Sequence, residues 1–396
     1  MLKKLSKSIR GYVTPSILTM IFMIGEVIIE CLIPFITANL VNQIKAGVEL
    51  TVLLKTGLVL VLLAVISLCC GGTGAFTCAK ASAGFAKNLR HNVFSRIQSF
   101  SFQNIDKFST SSLVTRLTTD ITNLQMSYMM LIRTAIRSPF MFVFAIIMAY
   151  KMGGSLATTF VIVIPFLVFG LILIARNAMP AFRRVFKKYD RLNESVEENV
   201  RAMRVVKGFS REDYEKQKFT DAATDICKDF TKAERIVALN GPIMQICLYF
   251  NMIFVLVVGS KLTITSMGQT IDIGQISAML TYGMQILMSL MMLSQIYVML
   301  TMSVESMKRV CEVLDEEPNL HNPENPIYSV ADGSIEFKNV SFKYSKNAKK
   351  YALSDINLKI KSGMTVGVIG GTGSSKSSLV QLIPRLYDVT EGSVLV

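Results

Sequence analysis

The residues best suited to chemistry lie near the end of the sequence, in the stretch GGTGSSKSS. They are Gly370, Gly371, Thr372, Gly373, Ser374, Ser375, Lys376, Ser377 and Ser378. Glycines let a backbone approach a ligand closely, so that successive N–H groups can surround phosphate oxygens at the start of a helix. Lys376 would contact the β- and γ-phosphates of a nucleotide, and Ser377 would offer its hydroxyl to Mg²⁺. The stretch therefore predicts a site for ATP with Mg²⁺.

One position of this loop departs from the usual pattern, G-x-x-x-x-G-K-S/T. Gly370, Lys376 and Ser377 match the pattern, but Ser375 occupies the place of the second glycine. If this position needs left-handed backbone geometry, a serine there costs about 1–2 kcal/mol. A cost of that size corresponds to a roughly tenfold loss of affinity. We therefore expect ATP binding to be weakened.

The residues around the loop predict the elements that position it. The apolar run MTVGVIG at 364–370 is typical of a short buried strand, and a helix is expected to begin at Lys376. Upstream, SIEFKNVSFKY at 334–344 alternates like a strand, with one phase break near Asn339. INLKI at 356–360 alternates again. Strand, glycine-rich turn and helix together form the context that a phosphate loop requires.

Most of the sequence before this region is apolar enough to lie in a membrane. Of the 396 residues, 51% are hydrophobic and only 18% are charged, a composition that indicates membrane-spanning helices. Stretches long enough to cross about 30 Å of hydrocarbon lie at about 16–40, 57–76, 135–154, 155–175, 238–260 and 276–302. We therefore predict a mostly α-helical membrane protein with six transmembrane helices and long cytosolic helical extensions.

Lysines and arginines set the predicted orientation of these helices. The short connections at 41–56, 151–155 and 261–275 together hold four lysines and arginines. The N-terminus alone holds four, the interval 77–128 holds six and the interval 176–236 holds fifteen. By the positive-inside rule, both termini and the two long intervals lie in the cytosol. The net charge of +14 thus reflects topology, and we expect no nucleic-acid partner. The expected location is a cell membrane, with the bacterial plasma membrane favoured.

Polar residues in two predicted spans could contact a transported molecule. Glu26 and Glu30 lie one turn apart in the first span and share a helix face. They could form a polar pair beside a wet cavity, sharing one proton, or a site for cationic groups. The last span, 276–302, carries seven methionines together with Gln285 and Gln295. Methionine surfaces adapt to varied ligands, although such a stripe also suits helix packing.

Two stretches in the cytosolic intervals, at 103–125 and 198–219, mix apolar and polar residues where a helical hairpin should turn. Each could be a solvated connection or a docking surface for the tail. The pattern alone leaves both interpretations open.

In combination, these motifs resemble those of ATP-binding cassette exporters of the half-transporter type. The resemblance rests on FQNIDKFSTSSLVTRLTTDITNLQ in the first cytosolic interval, RVVKGFSRED in the second, and VSFKYS, ALSDINLKIKSG and GGTGSSKSSLVQLIPRLYDVTEGSV in the tail. It implies that residues 1–302 form a six-helix transmembrane domain and that 303–333 form a linker. Residues 334–396 would then be the first part of an α/β P-loop nucleotide-binding domain.

The resemblance also implies roles for residues. Tyr344 matches the aromatic residue that stacks on adenine, a role that its chemistry allows beside that of a half-buried strand aromatic. Residues 370–378 match the phosphate loop, and the segments near 103–109 and 204–210 match the coupling helices that lie against nucleotide-binding domains. Two such subunits, identical or different, would pair in the lipid bilayer with two ATP molecules between them and export a small molecule, a lipid or a peptide.

The hydrolytic half of a cassette has no counterpart in this sequence. The signature segment, the catalytic glutamate and the switch histidine are missing, so no catalytic residue is assigned and we expect no ATPase activity from these 396 residues alone. The alternative to an exporter subunit is a nucleotide-binding regulatory or degenerate half of a heterodimeric transporter, which binds ATP without hydrolysing it.

Overall fold

The chain divides into two compact units that do not follow its linear order. The computed structural model describes residues 1–267, 269, 271–320, 322, 325–326, 329–330, 332–345 and 348–396. The first unit comprises Met1–Gly11, Ala83–Met126 and Ser303–Val396, and the second comprises Tyr12–Ser82 and Ser127–Met302. Parts of the linker predicted at 303–333 lie outside the described residues.

Helices dominate both units. They are α1 (Leu2–Ser6), α2 (Val13–Lys45), α3 (Leu50–Gln98), α4 (Phe102–Lys107), α5 (Thr110–Thr115), α6 (Ile121–Gly153), α7 (Thr158–Arg201), α8 (Met203–Gly208), α9 (Glu212–Ala238), α10 (Asn240–Thr265), α11 (Ile273–Asp315) and α12 (Lys376–Leu382). Six helical stretches are long and apolar enough to cross a membrane, namely α2, α3, Thr110–Gly153, α7, Glu212–Thr265 and α11. The predicted mostly α-helical membrane fold is confirmed.

The second unit has a core where α2, α6, α10 and α11 meet. Its fully buried side chains include Val27, Ala145, Val255, Met279 and Tyr282. The Tyr282 hydroxyl donates a hydrogen bond of 2.8 Å to the carbonyl oxygen of Cys31, so that the one polar atom of this large buried ring is satisfied. The apolar stripe of α11 is therefore held against α2 by packing and by a hydrogen bond.

A buried carboxylate organises the helical part of the first unit. Asp120 is fully buried and accepts hydrogen bonds from Arg309 Nε at 2.8 Å and from the Ser306 hydroxyl at 2.8 Å. It ends a π-helical turn, Arg116–Asp120, between α5 and α6. Arg116 at the other end of that turn donates to the carbonyl oxygen of Arg309 at 2.7 Å. The turn thus anchors the start of α6 on the end of α11.

The tail of the first unit contains a three-stranded antiparallel sheet in the order β2-β1-β3. Its strands are β1 (Ile335–Phe342), β2 (Leu353–Ile360) and β3 (Glu391–Leu395). Asn339 has φ +46°. The register of β1 shifts at this residue against both β2 and β3, as in a β-bulge. The phase break predicted near Asn339 is therefore confirmed.

One predicted strand is wrong. Residues 364–370 form no strand in the structure, and the side chains of Val366, Val368 and Ile369 are exposed. A strand needs a hydrogen-bonded neighbour, and β1, β2 and β3 pair only with one another in the described part of the chain. The apolar pattern shows that this segment is suited to burial. Whether the segment is buried depends on a neighbouring strand, which the pattern does not reveal.

Candidate functional site

The predicted phosphate loop leads directly into α12. This helix begins at Lys376, as the sequence predicts. Gly373 has φ +83°, and Ser375 has φ +59° and ψ +24°. Ser375 therefore adopts the left-handed geometry that favours glycine. The condition under which a serine weakens this loop is thus met in the structure.

Lys376 is folded back onto its own loop. Its Nζ atom donates hydrogen bonds of 2.8 Å to the carbonyl oxygens of both Gly370 and Gly371 and lies 3.3 Å from Ser374 Oγ. A Cβ added at Gly370 would lie 2.7 Å from Ser374 Oγ, so the loop is closely wound. Phosphate oxygens can replace these acceptors because Lys376 carries three rotatable donor hydrogens.

The start of α12 adds backbone donors to this cation. The first N–H groups of a helix have no partner within the helix, and the side chain of Ser375 does not cap them. These N–H groups and the Lys376 ammonium are donors of the kind that bind a polyphosphate. Ser377 is exposed beside them, where its hydroxyl is free to approach a cation bound with the phosphates.

The structure places Tyr344 against this loop. The Tyr344 hydroxyl lies 2.6 Å from Ser378 Oγ, within hydrogen-bond distance, and Ser378 is buried. The Tyr344 ring meets Phe342 and Tyr387 edge-on, with centroids 4.8 Å and 5.3 Å away. The structure therefore brings Tyr344 together with Ser378, while the stacking of Tyr344 on adenine and the nucleotide-binding roles of 370–378 stay predictions.

Tyr387, which was not predicted as a site residue, connects this site to α4. It is only 9% exposed, and its ring packs at centroid distances of 5.6 Å from Phe342 and 6.1 Å from Phe102 of α4. Its hydroxyl donates a hydrogen bond of 2.8 Å to the carboxylate of Asp106 in the same helix. Burial, and secondly the bond to Asp106, raises the pKa of Tyr387 to about 12. Its position in the tail motif RLYD was the only sequence signal for this role.

A second contact fixes α4 to the end of α11. Asn104 is fully buried, and its side-chain nitrogen donates hydrogen bonds of 2.9 Å to Glu316 Oε1 and to the Glu317 carbonyl oxygen. Lys107 contacts the other oxygen of Glu316 at 2.6 Å. That contact, more than the bond from Asn104, holds the pKa of Glu316 below its ordinary value.

The two predicted coupling segments differ in what the structure shows of them. The docking interpretation is confirmed for 103–109, because α4 contacts Tyr387 and Glu316. The segment 204–210 overlaps α8, a short helix without buried residues. Its docking partner stays a prediction.

The two glutamates predicted in the first membrane span, Glu26 and Glu30, both face one arginine, Arg137. Both carboxylate oxygens of Glu30 accept hydrogen bonds of 2.7 Å from Arg137 Nη2, and Glu26 Oε2 lies 3.9 Å from Arg137 Nε. Gln285 donates to the carbonyl oxygen of Glu30 at 3.3 Å. Glu30, Gln285 and Gln295 line one cavity, whereas Glu26 does not. Arg137 was not predicted as the partner of the two glutamates.

The sequence matches two family descriptions. Residues 16–290 match the ABC transporter transmembrane region, and residues 353–396 match the ABC transporter family description. A Bacillus subtilis protein described as an uncharacterized ABC transporter ATP-binding protein, YfiB, is 30% identical over 379 residues, which are 96% of this chain and 65% of that protein.

Other relatives have similar names. One of them, a Mycobacterium tuberculosis protein with the same description, is 29% identical over 398 residues, covering all of this chain and 68% of the relative. A putative ABC transporter ATP-binding protein of Mycoplasma pneumoniae is 27% identical over 432 residues, with the same two coverages. The chain thus spans about two thirds of the length of these relatives. The transmembrane match, which covers more than half of the chain, shows that the chain belongs to the ABC transporter family, and the second match shows that it carries the start of the ATP-binding domain as well as the membrane region.

Proposed function

We propose that the chain is one subunit of an ATP-driven export pump, in which nucleotide bound at 370–378 drives alternating access of the transmembrane helices. One observation carries this proposal, a continuous path of contacts between the loop and α4. Ser378 contacts Tyr344, the ring of Tyr344 packs against Tyr387, and Tyr387 donates to Asp106.

Each contact on this path depends on the position of the next residue. Because the Tyr344 hydroxyl lies 2.6 Å from Ser378 Oγ, rearrangement of the loop around phosphates changes the partner of Tyr344. The Tyr344 ring meets Tyr387 edge-on at 5.3 Å, so its movement alters the packing of a buried side chain. Closely packed interiors transmit such displacements. The path therefore offers a physical route by which nucleotide binding reaches the coupling helix.

In this proposal the loop residues have distinct tasks. The backbone of 370–374 and the ammonium of Lys376 bind the phosphates, Ser377 supplies its hydroxyl to Mg²⁺, and the Tyr344 ring stacks on adenine. A second subunit, identical or different, completes the pump in the bilayer. The distribution of lysine and arginine supports cytosolic termini, and the bacterial relatives support a bacterial plasma membrane.

Binding of labelled ATP to the purified chain in nanodiscs tests the proposal. We expect Lys376→Ala to weaken binding by at least about tenfold, since it removes the charge that contacts the phosphates. Lys361→Ala, which removes an exposed lysine of the same tail, should leave the affinity unchanged. ATP should also slow hydrogen exchange of the α4 amides. Affinity insensitive to Lys376→Ala, or ATP binding without a response in α4, contradicts the proposal.

A second function is favoured by Ser375. Its left-handed backbone, with φ +59°, strains the loop at the position where the family pattern has glycine. Such a loop suits a degenerate subunit of a heterodimeric transporter, which holds nucleotide weakly and regulates its partner. ATP affinity in the range of an intact loop would exclude this alternative.

A further inference from the structure

We propose that the cavity of the second unit binds an amphiphile with a singly charged anionic head and an acyl chain, and that Arg133 contacts the head. The inference rests on the proposed export function, because it names the class of molecule that the pump would move. The glutamates alone suggested a cationic ligand, whereas this proposal names an anionic one.

The cavity has the size and lining of a ligand site. Its volume is about 850 Å³, within the usual range of about 300–1,000 Å³ for small-molecule pockets. It lies among α2, α6 and α11, and its apolar lining includes Met130, Met141, Met284, Met288, Met292 and Ile296. Unbranched, polarizable methionine side chains adapt to flexible apolar ligands. An acyl chain fits such a wall better than a rigid polar molecule does.

The charged groups that line the cavity are Glu30, Arg133 and Arg137. A second carboxylate, Glu26, lies outside the lining and 3.9 Å from Arg137 Nε, so the cluster holds two acids and two arginines, and Arg133 is the arginine without an acid in contact in the described part of the chain. Both oxygens of Glu30 are occupied by Arg137 at 2.7 Å. Arg133 makes no hydrogen bond or ion pair with any residue that the structure describes. Arg133 is exposed, so its guanidinium is open to a ligand in the cavity. A ligand with one negative charge supplies the contact partner that Arg133 lacks.

Two further polar atoms beside Arg133 are unsatisfied. Arg137 Nε is buried and has no hydrogen-bond acceptor among the described residues, since Glu26 Oε2 is 3.9 Å away. Gln285 Oε1 is buried and has no donor in the same part of the chain. Buried polar groups without partners are rare in proteins. An anionic head accepts from the exposed Arg133. Arg137 Nε and Gln285 Oε1 become further partners once their side chains turn toward the head.

A cationic ligand fits this cavity less well. Because Arg137 already neutralises Glu30, a cation would have to displace the guanidinium and leave Arg137 unpaired beside Arg133. Such a displacement breaks charge-assisted hydrogen bonds of 2.7 Å and brings like charges together. The geometry therefore favours an anion.

A competition experiment with the full chain in phosphatidylcholine nanodiscs tests this site. The probe is a fluorescent fatty acid, and the competitors are laurate, dodecyltrimethylammonium and dodecyl maltoside, which share an alkyl chain and differ in charge. We expect laurate to displace the probe at concentrations at least about tenfold below those of the other two. Acetate, which has the charge without the chain, should not displace it. Equal competition by all three amphiphiles overturns the proposal.

Variants of the arginine locate the head. Arg133→Gln should weaken laurate binding about tenfold, and Arg133→Lys should retain most of it because the charge remains. Arg176 lines a separate cavity of the same unit, so Arg176→Gln is the matched control and should change nothing. Equal losses in Arg133→Gln and Arg176→Gln, with all variants folded by circular dichroism, would overturn the assignment.

Removal of the carboxylate gives a prediction of opposite sign. Glu30→Gln frees Arg137, so laurate should bind several-fold more tightly. If Glu30→Gln instead abolished binding of dodecyltrimethylammonium and left laurate unchanged, the site would bind cations and the proposal would be wrong.

Replacing part of the phosphatidylcholine with phosphatidylglycerol distinguishes the two possible sources of the anionic head. Displacement by this lipid assigns the site to an anionic phospholipid, and displacement by laurate alone assigns it to a free fatty acid.

The same nanodiscs separate this inference from the proposed function. Labelled ATP is titrated without laurate. Loss of the laurate selectivity with ATP binding intact overturns the anion site alone. Absence of ATP binding with the laurate selectivity intact overturns the pump and leaves the anion site standing.

Discussion

The hydroxyl of Tyr387 in the tail donates a hydrogen bond of 2.8 Å to the carboxylate of Asp106 in α4, although 281 positions separate the two residues. This bond joins Tyr387, a buried aromatic side chain that also contacts Tyr344, to α4. The family resemblance identifies α4 as a coupling helix. The contact is specific because a phenol donor meets an ionised acceptor, a pairing stronger than one between neutral groups.

Removal of that hydroxyl should loosen α4. We expect Tyr387→Phe and Asp106→Ala each to weaken docking, with a coupling energy of about 1 kcal/mol in a double-mutant cycle. Hydrogen exchange of the α4 amides should accelerate roughly fivefold, which is the same free energy expressed as a rate ratio. Tyr351→Phe is the control, since the Tyr351 hydroxyl bonds Glu391 at 2.9 Å. Additive effects of the two substitutions would show that the bond contributes nothing.

The pKa of Tyr387 predicts a dependence on alkaline pH. Burial and the bond to Asp106 raise this pKa from 10.0 to about 12. Between these values the unfolded chain releases the proton before the folded chain does, so this contribution to stability is complete below pH 10 and declines as pH rises toward 12. A difference titration of phenolate absorbance, wild type minus Tyr387→Phe, should show one group titrating near pH 12. A difference curve centred near pH 10 would contradict the raised pKa.

The sequence predicted the local features of the tail correctly. It predicted less well which segments of the tail are neighbours in space. The bulge at Asn339 was visible because alternation changes phase where two successive residues face one side. The start of α12 at Lys376 followed from the loop pattern. The prediction of a strand at 364–370 was wrong. Burial of its apolar residues depends on a neighbouring strand, and the sequence pattern of one segment does not show whether that neighbour is present.

The same limit applied to the membrane residues. Glu26 and Glu30 were noticed as a pair four residues apart, but Arg133 and Arg137 have the same spacing on α6. Matching spacings of opposite charge on two helices were the signal for the contact between Glu30 and Arg137. The sequence could not show which carboxylate receives which guanidinium, because that depends on how the helices are rotated against each other.

Acid should release α4 from the end of α11. The Lys107 ammonium at 2.6 Å holds the pKa of Glu316 below 4.5, so this contribution is present above that value and is lost as pH falls through the lowered pKa. Lys107 is mostly exposed, which limits the contribution to about 1 kcal/mol. Glu316→Gln should therefore lower the unfolding midpoint slightly at neutral pH and reduce its dependence on acid. The control is Glu305→Gln, which breaks an exposed pair with Lys308 at 3.4 Å. An acid dependence that Glu316→Gln leaves unchanged would contradict this assignment.

Glycine at position 375 should tighten nucleotide binding. Ser375→Gly removes left-handed strain of about 1–2 kcal/mol, and we expect labelled ATP to bind roughly tenfold more tightly. Ser210 also has positive φ, +50°, but lies outside the loop. Ser210→Gly should therefore relieve backbone strain and leave ATP affinity unchanged. Equal ATP affinities of the wild type and Ser375→Gly would exclude strain at this position as the cause of weak binding.

The bulge in β1 depends on a glycine in the neighbouring strand. Gly392 has φ +83°, and a Cβ there would overlap the backbone carbonyl oxygens of Lys338 and Asn339. Backbone atoms in a paired strand cannot swing aside as a flexible side chain can. Gly392→Ala therefore combines left-handed strain with a clash, and we expect it to destabilise the sheet by about 3 kcal/mol or more.

Gly333 separates the two effects. It has φ +70°, but the nearest atom to an added Cβ would be Ser362 Oγ at 3.8 Å, so Gly333→Ala should cost only the backbone strain of about 1–2 kcal/mol. Thermal unfolding followed by tyrosine fluorescence measures both variants in a chain without tryptophan. Because β3 pairs with β1 at this bulge, the larger loss in Gly392→Ala should be accompanied by faster hydrogen exchange in β1. Equal destabilisation by the two substitutions would mean that the strands separate easily enough to admit a methyl group and that Gly392 matters only for its backbone geometry.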